Sequence, residues 1–165
     1  MRATLPVSVA LLMTACGSSS VAVEESESAA GGSELRTGTV ATELYWSDGD
    51  SGRINGVPFR LADIDAPETG GVGTQGGATC ESERLLGFAA KEWVVDLART
   101  GRAGDAVVVV TDLASVDRYG RQALSLSVDG RSLSTLGIQA GRYRAWPHRN
   151  GRAQSPKPDW CAGQP

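Results

Sequence analysis

One long segment with helical periodicity lies between two groups of short, strand-like segments, and this order limits the folds open to the chain. In residues 81–99, the apolar residues Leu86, Ala90, Trp93 and Leu97 recur at spacings of four, three and four, as on one face of an amphipathic helix. Segments rich in Val, Thr, Tyr and Trp, bounded by Gly and Asp turns, predict strands on both sides of it. The predicted strands cover residues 36–47, 53–56, 57–64, 106–111 and 121–128, and a second, shorter helix covers residues 132–140.

Three strands, a helix, two strands and a helix form the element order of an OB-fold, a five-stranded β-barrel whose face commonly binds nucleic acid or oligosaccharide. The chain has 165 residues, of which 41% are hydrophobic, and this suits one core and argues against a second domain. Asn55-Gly56 is a dipeptide that tolerates the positive φ angles of a tight hairpin. We therefore predict an α+β domain built on a five-stranded OB-fold β-barrel with two or three α-helices.

The N-terminus has the pattern of an export signal. Residues 1–15 contain one basic residue and an apolar run from Leu5 to Met13 that is too short to span a bilayer. The sequence Met-Thr-Ala-Cys that ends at Cys16 resembles the bacterial lipobox, in which a lipoprotein signal peptide is removed just before a cysteine that becomes lipidated. A plain secretory signal cut nearby is the alternative.

The segment that follows the signal differs in composition from the rest of the chain. Residues 16–35 consist mainly of Ser, Ala, Gly, Glu and Val, which predicts a disordered tether and places the folded domain at 36–165. The expected protein is exported to the bacterial cell envelope, on the periplasmic or the outer side, and meets the membrane only through its lipid anchor. Residues 142–157 hold five basic residues and no acid, a pattern that suits either a polyanion site or a solvated face.

The three cysteines are an odd number for an exported protein. If Cys16 carries lipid, Cys80 and Cys161 remain as a natural disulfide pair. The alternatives are two free thiols, or a metal pair that lacks further ligands. A single histidine and the absence of a CxxC motif argue against zinc.

Acids and arginines fall at the ends of predicted strands, where a barrel can bring them to one mouth. They lie in three segments: DGDS at 48–51, FRLADIDAPE at 59–68 and DRYGR at 117–121. In this order and with these spacings, the segments resemble the three signature motifs of the staphylococcal nuclease (thermonuclease) family. The resemblance covers residues 38–145, and it depends on all three motifs together because one alone would be weak.

The resemblance implies a calcium site. Asp50 and Asp65 match the direct carboxylate ligands of the family, and the backbone carbonyl of Ala66 matches a further ligand. Carboxylate and carbonyl oxygens are the hard ligands that Ca²⁺ takes. Glu68 matches the general base that holds and deprotonates the attacking water, a role that needs a carboxylate beside the metal.

The resemblance also implies a set of phosphate contacts. Arg60 and Arg121 match two arginines that embrace the scissile phosphate, where a guanidinium stays charged and donates in a bidentate manner. Arg118 and Tyr119 match positions near the terminal phosphate of a bound nucleotide. The implied protein is a monomeric, calcium-dependent endo- and exonuclease that hydrolyses phosphodiester bonds of DNA and RNA with little sequence preference and leaves 3′-phosphate ends.

Other interpretations of the same residues stay open. The acids can be turn residues and the arginines salt-bridge partners, and Asp48 can be a second acid near the metal or the cap of a turn. A catalytically silent OB-fold nucleic-acid-binding module is the main alternative, although neither the candidate base nor either arginine is missing. The GDSG at 49–52 coincides with a protease nucleophile signature, but the only histidine, His148, follows the serine instead of preceding it.

The aromatic residues and the C-terminus give weaker indications. Tryptophans can stack on bases, but Trp93 lies on the apolar helix face and is expected in the core. His148 is expected in a surface loop or at a phosphate. A cysteine after the APE sequence and a terminal Trp160-Cys161 resemble a bacterial subgroup of the family, in which the base-stacking tyrosines of the C-terminal part need not carry over.

Overall fold

The computed structural model describes residues 34–100 and 102–162, which form an α+β domain with a strand-rich sheet and two helices. The signal sequence, Cys16 and most of the predicted tether lie outside the described residues. No helix in the described part of the chain is long and apolar enough to cross a membrane. The elements are β1 (Leu44–Trp46), β2 (Ser51–Ile54), β3 (Val57–Leu61), β4 (Ile64–Asp65), α1 (Glu81–Leu97), β5 (Val108–Val116), β6 (Gln122–Val128), β7 (Arg131–Ser132), α2 (Leu133–Gln139), β8 (Arg144–Ala145), β9 (His148–Arg149) and β10 (Arg152–Ala153).

The main sheet has the strand order β1-β2-β3-β6-β5, and β7 pairs with β6. Strands β3 and β6 are parallel, whereas the other neighbours in this order are antiparallel. The chain just before β1 reaches the far end of this order, because Val40 bridges Val109 and Ala41 N donates to Val108 O over 2.9 Å. A ladder between β1 and β5 themselves is not formed among the described residues, so the predicted closed barrel is not shown.

The two predicted helices are present with slightly shorter bounds. Strand assignments differ more. Only residues 44–46 of the predicted strand 36–47 form β1, whereas β5 runs five residues past the predicted end at Thr111. The second half of β5 is largely exposed and shows no apolar alternation, which removes the signal for a strand there. Two-residue strands such as β4 and β8 are too short to produce a sequence period at all.

The core lies between the main sheet and α1. Phe59 packs edge-on against Trp46, with ring centroids 5.2 Å apart, and Val94 of α1 is fully buried beside them in the same cluster. Leu35 also belongs to this cluster with 4% of its surface exposed. The tether was predicted to extend through residue 35, so the folded part begins at least one residue earlier because this leucine finds an apolar site.

Candidate active site

The first candidate cluster is centred on Arg60. Its Nη2 atom lies 2.9 Å from Asp50 Oδ2 and 3.3 Å from Asp65 Oδ1, so both carboxylates converge on one point. Strand pairing produces this arrangement, because Ser51 of β2 is opposite Arg60 of β3 and the ladder continues with a hydrogen bond from Leu61 N to Asp50 O. Asp65 arrives from β4, two residues after the end of a tight turn with a positive φ at Asp63.

The turn that presents Asp50 is held at both ends. Asp48 Oδ1 accepts hydrogen bonds from the backbone N–H groups of Asp50 and Ser51, at 3.1 and 2.9 Å. The sequence left Asp48 as either a second acid near the metal or the cap of a turn, and these bonds are those of a turn cap. The buried Tyr143 hydroxyl donates to Gly49 O over 2.7 Å from the far side. These contacts fix the direction in which the Asp50 side chain leaves the backbone.

Asp50 and Asp65 are buried acids, with 4% and 0% of their surfaces exposed. Burial raises the pKa of each carboxyl, most strongly for Asp50, and the positive charge of Arg60 opposes this change only in part. Burial also disfavours the charge of Arg60, but the neighbouring carboxylates raise its pKa. Burial therefore disfavours the charged form of both carboxyls, and a neighbouring cation offsets part of that cost.

We tested whether these residues suit a calcium ion. No group of three or more His, Cys, Asp or Glu side chains among residues 34–100 and 102–162 has metal-site geometry. The expected ligand set, however, contains two carboxylates and a backbone carbonyl. Two carboxylate oxygens lie within 3.3 Å of one nitrogen atom, and with the carbonyl of Ala66, the residue after Asp65, they are oxygen donors of the kind Ca²⁺ takes. The oxygen donors of these residues are therefore of the type that binds Ca²⁺, and Arg60 Nη2 lies at the point on which both carboxylates converge.

Helix α1 positions the turn that carries Glu68. Glu83 is buried on this helix, and its carboxylate accepts hydrogen bonds from the backbone N–H groups of Glu68 and Thr79. Gly87, one turn further on, brings the helix so close that an added Cβ would lie 2.4 Å from Glu68 O. Ala66 N donates to Asp50 Oδ2 over 3.3 Å, which joins this turn to the first cluster.

The C-terminal tail, residues 155–161, covers the acidic cluster from the other side. Lys157 Nζ lies 2.7 Å from Glu68 Oε1 and 3.7 Å from Asp65 Oδ1. Trp160 is 4% exposed, and its Nε1 donates to Asp65 Oδ2 over 2.8 Å. The candidate base and a candidate metal ligand are thus both in contact with this tail.

The tail is fastened to the start of α1 by the cysteines. Cys80 and Cys161, the pair expected from the cysteine count, have their sulfur atoms 2.06 Å apart in a disulfide. Cys80 is also the N-cap residue of α1 and accepts a hydrogen bond from Glu83 N. The bond therefore links the tail to the helix end that also holds the Glu68 turn.

The DRYGR motif forms a separate turn between β5 and β6. Arg121 Nε and Nη2 each lie 2.8 Å from Asp117 Oδ2, so this arginine is paired inside its own motif. Arg118 donates to the Tyr119 hydroxyl over 2.7 Å, and both arginines lie against the Tyr119 ring. None of the three reaches the carboxylates of the first cluster through a hydrogen bond or salt bridge among the described contacts.

A single open cleft of about 790 Å³ connects the two groups of residues. Arg60, Glu68 and Lys157 form part of its wall at one end, and the DRYGR turn forms another part. The exposed hairpin of β9 and β10 contributes His148, and Trp146 lies next to it with Arg60 Cζ 5.9 Å from its ring. Four basic side chains line the cleft, together with three acids and mainly uncharged residues, whereas Asp50 and Asp65 are buried beside Arg60.

Several site residues were missed by the sequence analysis. Trp160 was considered as a residue that could stack on bases and as part of the terminal Trp-Cys pair, but it is buried and hydrogen-bonded to an acid. Lys157 was one of a run of bases, and nothing distinguished Glu83 or Gly87 from other helix residues. Apart from the Thr79 N–H group that donates to Glu83, their partners at the site lie 15 to 95 residues away along the chain, so no local pattern indicated them.

Neither a scan against protein-family models nor a search of curated proteins finds a match to this chain. The functional interpretation therefore depends on the residues of the site and on the motif resemblance.

Proposed function

We propose that this chain is a calcium-dependent nuclease that hydrolyses phosphodiester bonds of DNA and RNA with low sequence specificity and leaves 3′-phosphate ends. The main support is the meeting of Asp50, Arg60 and Asp65 at one point, with Glu68 linked to the same cluster through Lys157. A cation site beside a general base requires such a meeting, whereas independent salt bridges or turn caps would not need to converge in this way.

We further propose that the domain is an OB-fold barrel of the staphylococcal nuclease type. The strand order β1-β2-β3-β6-β5 and the contact of residues 40–41 with β5 are compatible with a small barrel. The proposal includes export as a monomeric lipoprotein of the bacterial cell envelope, through residues 1–15 and lipid on Cys16, which lie outside the described residues.

In this proposal Asp50, Asp65 and the Ala66 carbonyl hold the ion. Bound calcium would supply positive charge to a phosphate oxygen and to the attacking water. The two acids are buried before any ion is considered, so their oxygens are already withdrawn from water and are held by the turn before β2 and by β4. Such preorganisation lowers the cost of assembling the site.

The other residues act on the substrate. Glu68 accepts the proton of the attacking water, and for this it must exchange its contact with Lys157 for one with water. Arg60 uses Nη2 for its contacts with the acids, which leaves its other N–H groups for a phosphate oxygen. Arg121 likewise keeps Nη1, and Arg118 and Tyr119 of the same turn extend the phosphate contacts along the cleft.

The experiment is digestion of plasmid DNA and of RNA by the purified protein, with added calcium or with excess chelator. The variant Glu68→Gln keeps a neutral oxygen of similar size, so nucleotide binding should persist while turnover falls by about 10²-fold or more. Glu92→Gln, at an exposed position on α1, is the matched control and should cut at the wild-type rate. Full cleavage in chelator, or a Glu68→Gln protein as active as Glu92→Gln, would refute the proposal.

One observation favours a catalytically silent nucleic-acid-binding module as the second candidate. Each proposed catalytic side chain forms a salt bridge with another side chain of the protein: Arg60 with two acids, Glu68 with Lys157 and Arg121 with Asp117. In a silent module these pairs would be permanent. Such a protein would bind DNA, release no acid-soluble nucleotides with calcium, and be unaffected by Glu68→Gln.

A further inference from the structure

We propose that Trp160 is a positioning residue, which fixes the Asp65 carboxylate for metal binding, and that the Cys80–Cys161 disulfide holds Trp160 in place. The inference rests on the proposed calcium site and extends it to the C-terminal tail. Trp160 Nε1 donates to Asp65 Oδ2 over 2.8 Å, and both residues are buried.

This hydrogen bond divides the two oxygens of Asp65 between different tasks. Oδ2 is tied to the indole, while Oδ1 faces the cation point, 3.3 Å from Arg60 Nη2 and 3.7 Å from Lys157 Nζ. An indole N–H carries no net charge, so it orients the carboxylate without competing as a cation. Groups that hydrogen-bond to metal-binding carboxylates in this way fix ligand orientation, and their loss weakens metal affinity.

Contacts of its neighbours help to hold Trp160 in place, and the disulfide at Cys161 is the covalent one among the described residues. Arg144 Cζ lies 4.2 Å from the Trp160 ring, and Arg144 Nη1 donates to the Asp159 carbonyl over 2.6 Å. Cys161, the next residue, is bonded to Cys80 at the start of α1. The tail near Trp160 forms no strand, so the disulfide replaces the ladder that would otherwise fix a terminal segment.

The chain offers a matched control in Trp46. It is 4% exposed, as Trp160 is, but its Nε1 has no hydrogen-bond partner in the described structure. Trp46→Phe and Trp160→Phe therefore remove the same atoms from sites that are equally buried. Only the second change removes a hydrogen bond to a candidate metal ligand.

The test is isothermal titration of calcium into the oxidised wild type and the two variants, with near-ultraviolet circular dichroism and thermal unfolding to verify folding. We expect Trp160→Phe to raise the calcium dissociation constant by about tenfold or more. Trp46→Phe should lower the melting temperature and leave the dissociation constant unchanged. If Trp160→Phe does not fold, Trp160→3-benzothienylalanine retains the ring shape without the N–H and should give the same weakening.

Reduction of the disulfide provides the second arm. Treatment with a phosphine reductant should weaken calcium binding in the wild type, and it should do so much less in Trp160→Phe, because both changes release the same contact. If the wild type binds calcium and Trp160→Phe binds it equally well, or if Trp46→Phe weakens it as much, the inference is wrong and the proposed function stands. If the oxidised wild type binds no calcium, the proposed function fails and the inference with it.

Discussion

The contact between α1 and the Glu68 turn allows a sharp test with a single methyl group. Gly87 is buried on α1, and a Cβ at this position would lie 2.4 Å from Glu68 O, 2.7 Å from Glu68 C and 2.9 Å from Pro67 O. All three atoms belong to the backbone, so no side chain can rotate to relieve the clash. In Gly87→Ala, the helix or the turn must therefore move by roughly 1 Å to restore ordinary van der Waals distances.

The expected sign of the stability change is opposite to that of helix propensity. Alanine in a helix interior is about 1 kcal/mol more favourable than glycine, so an unhindered Gly87→Ala would stabilise the protein. Overpacking of a well-packed site costs about 1–3 kcal/mol, and here the clashing atoms are rigid. The rigid backbone atoms place the cost at the upper end of this range, about 2–3 kcal/mol, so the net loss in the free energy of unfolding should be about 1–2 kcal/mol. Since a misplacement of about 1 Å can cost about 10²-fold in rate, cleavage should fall as well.

Urea denaturation of the metal-free protein measures the change in the free energy of unfolding, and calcium-dependent plasmid cleavage measures the change in rate. Val95→Ala is the control, because it raises helix propensity at an exposed position of α1 that lies away from the Glu68 turn. A Gly87→Ala protein that is as stable and as active as the wild type would show that α1 does not set the position of Glu68.

Three further predictions concern the DRYGR turn and the disulfide. Partial burial acts to raise the pKa of Asp117, but hydrogen bonds from Arg121 and Tyr119 lower this pKa overall. Asp117 therefore stabilises the fold above its unfolded pKa of about 3.9, and this stabilisation is lost as the pH falls through the pKa of the folded state. Asp117→Asn should therefore lower the melting temperature at pH 7, and the difference from the wild type should shrink below about pH 4. Arg121→Lys keeps the charge but loses the fork, so turnover should fall by about 10²-fold while calcium titration is unchanged, and equal turnover would remove this arginine from the mechanism. Reduction of the Cys80–Cys161 bond, which spans 81 residues, should lower the unfolding free energy by about 4 kcal/mol, measured by urea denaturation with and without reductant.

Local patterns in the sequence predicted those helices, strands and turns that are long enough to show a regular spacing of apolar residues or that carry a specific turn dipeptide. The apolar spacing through Ala90 and Trp93 predicted α1, and Asn55-Gly56 predicted the turn between β2 and β3, where both residues have positive φ. The strand bounds at the two edges of the main sheet, in β1 and β5, were predicted less accurately. Strand β1 is short because the preceding chain turns to contact β5, and that contact depends on a partner about 70 residues away.

The candidate site was predictable where a motif carried it and not where distant segments complete it. Asp50 directly precedes β2, Arg60 lies opposite Ser51 on β3, and Asp65 follows four residues after β3 ends, so the motif spacing and the hairpin register together bring them to one point. Trp160 reaches the same point through the disulfide and the stacking of Arg144, which depend on the folded path of the tail. The cysteine count suggested the bond, but it could not reveal which side chain the bond would place beside Asp65.

Lys157 occupies the same tail as Trp160, yet its effect on calcium should be opposite. Burial disfavours its charge, but the hydrogen bond to Glu68 and the nearby acids raise its pKa, so it stays positive at neutral pH. A positive charge 3.7 Å from Asp65 Oδ1 stabilises the acids without metal and repels an incoming cation.

Lys157→Met removes this charge and keeps most of the side-chain length. Because an exposed or half-exposed charge pair is worth up to about 1 kcal/mol, calcium should bind about fivefold more tightly to this variant. Lys91, the only other lysine, donates to the Ser47 carbonyl and has no acid partner among the described salt bridges, so Lys91→Met is the matched control and should leave calcium binding unchanged. Calorimetric titration of both variants decides the matter. Weaker binding in Lys157→Met would mean that the tail assists the ion with its charge as well as with its indole, and that Lys157 holds the carboxylates in place instead of competing for them.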